Sequence, residues 1–314
     1  MIVTVKKGRA AGSVKAPPSK SMAHRYLICA ALSGGSEIKN IALSEDVKAT
    51  LGCLESLGAE VSLIGDTAVC GGLLKNTSPK SDKLFCNESG STLRFMLPLC
   101  LLGGNKITLY GTERLLSRSL NVYEDICSSQ GITFGKTADS VTVCGKLSPG
   151  KYSVRGDVSS QFISGLMFVL PCLESDSVID ITGAVESAPY LGMTVKALAD
   201  FGVRISRTDE HTVYIKGNQT YKSRRFCVEG DYSNAAFFDA LNYTGGYVAV
   251  GGLKPDTCQG DAVYSKLFEK LSRGCPEIDI SDCPDLAPVL MALAAACNGV
   301  KLTGTRRLKI KESD

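Results

Sequence analysis

Apolar and polar residues alternate over Ile107–Tyr110, Val141–Cys144, Ser177–Ile181 and Thr212–Ile215, which predicts short strands with one buried face. Met1–Gly8 also alternates like a strand. Apolar runs of helical spacing occupy Met22–Leu32, Leu93–Leu102, Phe162–Leu173, Ala235–Leu241 and Leu286–Cys297. A short strand-and-helix unit therefore recurs along the chain, with no linker rich in Pro, Gly or Ser to divide it. The pattern is that of an α/β protein.

The helical runs share an opening of small polar residues. Ser19-Lys20-Ser21, Glu88-Ser89-Gly90-Ser91-Thr92, Ser159-Ser160-Gln161, Asp231-Tyr232-Ser233-Asn234 and Asp282-Cys283-Pro284-Asp285 each precede one. Side-chain oxygens at such places cap free backbone N–H groups, and a single cluster is ordinarily no more than a cap. Five in one chain suggest more. A helix N-terminus carries unpaired donors and about half a positive charge, so several converging on one cleft suit a ligand with several phosphate or carboxylate groups.

Composition narrows the setting. A length of 314 residues favours about two domains, and 44% hydrophobic with 21% charged residues is ordinary for a globular protein. The longest apolar stretch, Gly165–Leu173, is broken by Pro171 and falls far short of the roughly 20 residues of a membrane helix. The start lacks the apolar run of a signal peptide, so a cytoplasmic location is expected. Thirteen cysteines are scattered without a C-x-x-C pair, and only His24 and His211 stand by to help a metal. That fits reduced thiols used as small apolar residues, with neither metal nor disulfide. A net charge of +3, with no arginine-rich tract, gives no case for nucleic acid.

Several segments carry a family resemblance. Pro17-Pro18-Ser19-Lys20-Ser21-Met22-Ala23-His24-Arg25 resembles the opening signature of EPSP synthases, and ESGSTLR at Glu88–Arg94 resembles the second. ERLLSRSL at Glu113–Leu120, GDVSSQF at Gly156–Phe162 and ESAPY at Glu186–Tyr190 are similar to three more. Glu229–Ala235, Pro284–Pro288 and the terminal KIKESD of Lys309–Asp314 extend the likeness to the whole chain. Two departures stand out: Ser119 where the family usually has Pro, and Glu88 where it often has a small or Asn-type residue.

The resemblance implies transfer of an enolpyruvyl group from phosphoenolpyruvate to the 5-hydroxyl of shikimate 3-phosphate, on the route to chorismate and the aromatic amino acids, with no cofactor. It assigns Lys20 to phosphoenolpyruvate and to acid–base work, Asp285 as base at the 5-hydroxyl, and Glu312 as proton donor to carbon. Ser21 and Arg25 are assigned to the shikimate carboxylate, for which the planar Arg fork is suited. Ser159, Ser160, Ser187 and Lys311 are assigned to the 3-phosphate, Gln161 to the ring hydroxyl region and phosphoenolpyruvate, and Tyr190 to the substrate ring. Gly90 and Arg118 are assigned to phosphoenolpyruvate, a glycine letting backbone N–H groups approach the anion. Glyphosate, which occupies the phosphoenolpyruvate position, is expected to inhibit.

The implied fold is the inside-out α/β barrel of EPSP synthases, two domains built from βαβαββ repeats with helix N-termini aimed at the cleft. Residues 15–225 are expected to form a complete three-repeat domain, and 1–14 with 226–314 a discontinuous domain. Equal repeats predict domains of similar size, so the second is expected to be incomplete at its C-terminus. The family's Arg after KESD then falls one position beyond Asp314. On that reasoning the chain, expected to be a monomer, is poorly active or inactive by itself. One competing reading is a UDP-N-acetylglucosamine enolpyruvyl transferase, which has a different first signature and a loop Cys without counterpart here. Another is a module that binds shikimate 3-phosphate without turnover.

Overall fold

The computed structural model describes residues 3–4, 8–75, 78–185, 187–305 and 308. Most of the strand read over Met1–Gly8 lies outside them. The chain groups into two compact units, one of Lys20–Val228 and one of Met1–Ser19 with Glu229–Asp314.

The unit Lys20–Val228 holds helices α1 (Lys20–Leu32), α2 (Glu45–Ser56), α3 (Gly90–Cys100), α4 (Glu113–Leu116), α5 (Asn121–Ser129), α6 (Ser160–Val169) and α7 (Ala188–Asp200). Three four-stranded sheets share one topology. In one, Lys83–Phe85 runs parallel to Ile107–Tyr110, followed by antiparallel Ser140–Cys144 and Thr133–Lys136. In the next, Lys151–Arg155 and Ser177–Thr182 are parallel, with Thr212–Ile215 and Ile205–Arg207 antiparallel beyond them. The remaining sheet has Ser36–Lys39, Thr67–Gly71 and Glu60–Ile64 in the equivalent places, but its leading strand is Arg225–Cys227, the last of the unit. The end of the unit thereby completes its first repeat.

Side-chain alternation sets the faces. Tyr152, Ile179 and Val213 stand side by side in register and are buried, whereas the neighbouring rank of Lys151, Val178 and Tyr214 is exposed or half-buried. Helices α1, α3 and α6 carry few polar residues beyond their first turns, His24, Arg25 and Arg94 among them. Met22–Leu32, Leu93–Cys100 and Phe162–Val169 are nonetheless buried throughout, as helices with apolar residues on every side are. These helices form the interior of the unit, under the buried faces of its sheets.

The crossing of α3 and α6 depends on one glycine. A Cβ on Gly165 would overlap Tyr123 Oη and lie 2.7 Å from the Arg94 carbonyl oxygen. With hydrogen there, Tyr123 donates to the Arg94 carbonyl at 2.7 Å and lies within 3.3 Å of that of Phe162. Its ring meets Phe162 edge-on at 4.9 Å. One buried hydroxyl thus ties both helix backbones together.

The second unit contains α8 (Tyr232–Tyr243), α9 (Tyr264–Arg273) and α10 (Ala287–Ala296). Two parallel pairs, Ala11–Lys15 with Tyr247–Gly251 and Glu277–Asp279 with Lys301–Thr303, complete it. Its core gathers Ala235, Phe268, Leu271, Ile280, Leu286 and Leu290.

Two of the differences from the predicted helix extents fall at prolines. The run Phe162–Leu173 is α-helical only to Val169 and continues as a 3₁₀ turn over Leu170–Cys172, because Pro171 has no N–H for the carbonyl four residues back. The helix read from Leu286 begins at Ala287 without a side-chain cap. A 3₁₀ turn, Pro284–Leu286, precedes it and the Pro284 carbonyl accepts the Ala287 N–H.

Candidate active site

Four helices of the larger unit begin at residues singled out in the sequence. Lys20 and Ser21 open α1. Ser89 caps α3 by accepting from the Thr92 N–H at 3.2 Å, and Gly90 is the first residue inside. Ser159 caps α6, accepting from the Gln161 N–H at 3.3 Å. Ser159 and Ser160 are buried, and Gln161 is half-buried. Ser187 precedes α7 with φ 58° and ψ 42°, a left-handed conformation, and its side chain does not cap the helix. A non-glycine residue held there stores on the order of 1 kcal/mol or more, which is commonest where function dictates the backbone.

The closest assembly of candidate residues surrounds Gly90. A Cβ built on it would lie 2.9 Å from Arg118 Nη1, 3.2 Å from Arg94 Nη1 and 3.9 Å from Gln161 Oε1. Arg94 Nη1 donates to Gln161 Oε1 at 2.7 Å, and Gln161 Nε2 donates to Ser91 Oγ at 2.9 Å. The Arg94 guanidinium also lies over the Phe162 ring at 5.2 Å. The assigned residues Gly90, Arg118 and Gln161 are therefore neighbours. Arg94, buried at 7% exposure, was not singled out, although it stands one helical turn after Gly90 on the same face. That i, i+4 spacing was the available signal.

On α1, Lys20 Nζ donates to Asp46 Oδ2 at 2.7 Å, in a pair whose lysine is half exposed. Such a pair contributes little stability, about 0.2–1 kcal/mol; its effect is to orient the ammonium group. Asp46 was not foreseen, since an acid in the first turn of a helix is ordinary. Arg25, 3% exposed, donates to Thr194 Oγ1 at 2.9 Å and to the carbonyls of Ser21 at 2.9 Å and Tyr190 at 3.0 Å. Its Cζ lies 5.4 Å from the Phe95 ring centre. Arg25 therefore joins α1 to α7, and the fork assigned to a substrate carboxylate is also a structural tie. The side chains of Ser21 and Tyr190 are half-buried.

In the smaller unit, Asp285 is half-buried in the turn before α10. With Asp261, Asp279 and Asp282 it surrounds Cys283, whose thiol is pushed up to about 12, mostly by burial. Lys311 and Glu312, with the rest of the KIKESD segment, lie outside the described residues, as does Glu186 of ESAPY.

Residues 5–314 match the family profile of EPSP synthase (3-phosphoshikimate 1-carboxyvinyltransferase). The 3-phosphoshikimate 1-carboxyvinyltransferase of Clostridium kluyveri is 41% identical over 332 residues, covering 99% of this chain and 78% of the relative. That of Clostridioides difficile is 40% identical over 336 residues, covering 96% and 76%. Among solved structures, EPSP synthase from Acinetobacter baumannii superposes with a TM-score of 0.77 at 18% identity, over 98% of this chain and 76% of that one. The enolpyruvyl transferase NikO from Streptomyces tendae gives 0.69 at 15% identity, over 94% and 75%. The structural likeness establishes the fold, the sequence likeness extends over nearly the whole chain, and together they make this chain a member of the EPSP synthase family.

Proposed function

We propose that this chain transfers the enolpyruvyl group of phosphoenolpyruvate to the 5-hydroxyl of shikimate 3-phosphate and releases inorganic phosphate. The observation that carries the site reading is the Gly90 assembly. Two guanidinium groups reach the same glycine within 2.9 and 3.2 Å of its Cβ position. Two like charges converging on one glycine repel, and a compact anion bound by both turns the repulsion into charge-assisted hydrogen bonds. Phosphoenolpyruvate, with a phosphate and a carboxylate on three carbons, is such an anion.

In the addition step, the 5-hydroxyl oxygen bonds to the central carbon of phosphoenolpyruvate as its proton leaves, and the methylene carbon takes up a proton. In the elimination step, the carbon–oxygen bond to phosphate breaks and the new methyl carbon gives its proton back. Lys20, oriented by Asp46, is read as the group beside phosphoenolpyruvate. Asp285 is read as the base at the 5-hydroxyl and Glu312 as the donor to carbon. Ser159, Ser160, Ser187 and Lys311 are read as 3-phosphate ligands, supported by two helix N-termini and the left-handed Ser187. Arg25 and Ser21 hold the carboxylate, and Tyr190 packs on the ring. The setting is read as cytoplasmic, supported by seven buried free thiols among the thirteen cysteines. The enzyme is read as a monomer acting on small molecules.

Calorimetric titration with shikimate 3-phosphate tests the binding half. Ser160→Ala is expected to weaken binding roughly tenfold or more, the range for a hydrogen bond to a charged group. Equal affinity overturns the 3-phosphate assignment.

A further inference from the structure

Helices α1 and α2 meet in two rungs. Lys20 and His24 are one turn apart on α1, and Asp46 and Thr50 are one turn apart on α2. Lys20 Nζ donates to Asp46 Oδ2 at 2.7 Å, and His24 Nδ1 lies 2.8 Å from Thr50 Oγ1. Beyond the second rung, Thr50 Oγ1 is 2.8 Å from Thr92 Oγ1 on α3. Thr92 Oγ1 in turn lies 2.8 Å from Ser89 Oγ, the cap of α3, and 3.3 Å from the Asp46 carbonyl oxygen. His24, Thr50, Ser89 and Thr92 are all 1% exposed or less.

Proton counting gives the chain a direction. Each hydroxyl has one proton. In its contacts beyond Thr50, Thr92 Oγ1 is the donor, to Ser89 Oγ or to the Asp46 carbonyl. The Thr50 proton then goes to Thr92, which leaves Thr50 to accept from His24 Nδ1–H. His24 Nε2 is consequently the unprotonated nitrogen, and among the described residues it has no hydrogen-bond partner. An apolar side chain of similar size would fill the space without burying a bare nitrogen, so packing alone gives no reason for an imidazole here.

We infer that His24 is a positioning residue: by donating through Nδ1 into the Thr50–Thr92–Ser89 chain, it holds Asp46, the partner of Lys20, and the turn at Gly90 in fixed relation for phosphoenolpyruvate. This rests on the reading that Lys20 and Gly90 face that substrate. Burial, and then the charges of Lys20 and Arg25, lower the pKa of His24 to about 3 against the opposing pull of Asp46. The imidazole therefore keeps its single Nδ1 proton, and the chain its direction, throughout the neutral range.

The first test is the imidazole ¹⁵N spectrum of the labelled protein. The Nδ1–H tautomer, unchanged between pH 5.5 and 8, is expected. An Nε2–H tautomer, or titration near 6.5, overturns the inference. The second test is phosphoenolpyruvate affinity at saturating shikimate 3-phosphate. His24→Leu is expected to weaken it roughly five- to tenfold, the loss of about one hydrogen bond, with shikimate 3-phosphate affinity kept within about twofold. His24→Asn, which puts an amide N–H where Nδ1 was, is expected to restore most of the loss. Equal weakening of both ligands, or an Asn variant no better than Leu, overturns the positioning role. If the Leu variant does not fold, Thr92→Val against Thr92→Ser breaks the chain one link on and carries the same expected split. Absence of phosphoenolpyruvate binding by the unaltered protein contradicts the functional reading instead, and the tautomer still decides the relay.

Discussion

Replacing Gly165 by Ala places a methyl group where α3 and α6 have no room. The new Cβ overlaps Tyr123 Oη and lies 2.7 Å from the Arg94 carbonyl oxygen and 3.2 Å from Pro98 Cγ. Ordinary contact requires about 3.4 Å or more, so one helix must move or Tyr123 must leave its place. Overpacking of this kind costs about 1–3 kcal/mol. Displacing the Tyr123 hydroxyl from the Arg94 carbonyl leaves buried polar groups unpaired at about 1–3 kcal/mol more. The sum, about 2–6 kcal/mol, corresponds to a fall in Tm of roughly 5–20 °C for a unit of this size. Thermal and urea unfolding of Gly165→Ala, Tyr123→Phe and the double variant measure it. Removing the hydroxyl removes the worst overlap, so the double variant is expected to be more stable than the two single losses predict, by about 1 kcal/mol or more. Strict additivity, or a Gly165→Ala protein as stable as the parent, refutes the account of this crossing.

His24 makes stability depend on pH. Its folded pKa, about 3, lies below the ordinary 6.5, so the unfolded chain takes up the proton first; this contribution is complete above pH 6.5 and is lost as pH falls toward 3. Between pH 7 and 5 the loss is about 2 kcal/mol, and His24→Asn is expected to flatten the urea-unfolding profile by that amount, whereas parallel profiles contradict the burial of a neutral imidazole. At Gly90, alanine pushes against Arg118 and Arg94, so Gly90→Ala is expected to reduce glyphosate inhibition and raise the KM for phosphoenolpyruvate more than that for shikimate 3-phosphate. Unchanged inhibition places glyphosate elsewhere.

The parts of the site legible in the sequence are those governed by short-range chemistry. A cap and the residues it serves lie within three positions of each other, so Ser89 with Gly90 and Ser159 with Gln161 announce themselves before the apolar runs they start. Arg94 is harder to see, because an Arg within an apolar helix gains its meaning only when Gln161 arrives from α6, 67 positions along the chain. Asp46 is hidden for the same reason. Its first-turn position already has an adequate explanation in the helix dipole, and the contact with Lys20 comes from the packing of α2 on α1. The strand Arg225–Cys227 is three residues long, and only pairing with Ser36–Lys39 shows that it completes the first repeat. Proline effects lie between these cases. Pro171 was visible as an interruption, but that the chain continues beyond Val169 in a 3₁₀ turn is seen only in the fold.

The central claim, enolpyruvyl transfer to shikimate 3-phosphate, is tested most directly by a single-turnover reaction with protein in excess over phosphoenolpyruvate, followed by ³¹P NMR. One slow turnover then suffices. The account predicts that the phosphoenolpyruvate resonance gives way to inorganic phosphate and an enolpyruvyl product only when shikimate 3-phosphate is present. Phosphate formed equally well with UDP-N-acetylglucosamine in its place, or with no acceptor present, contradicts it.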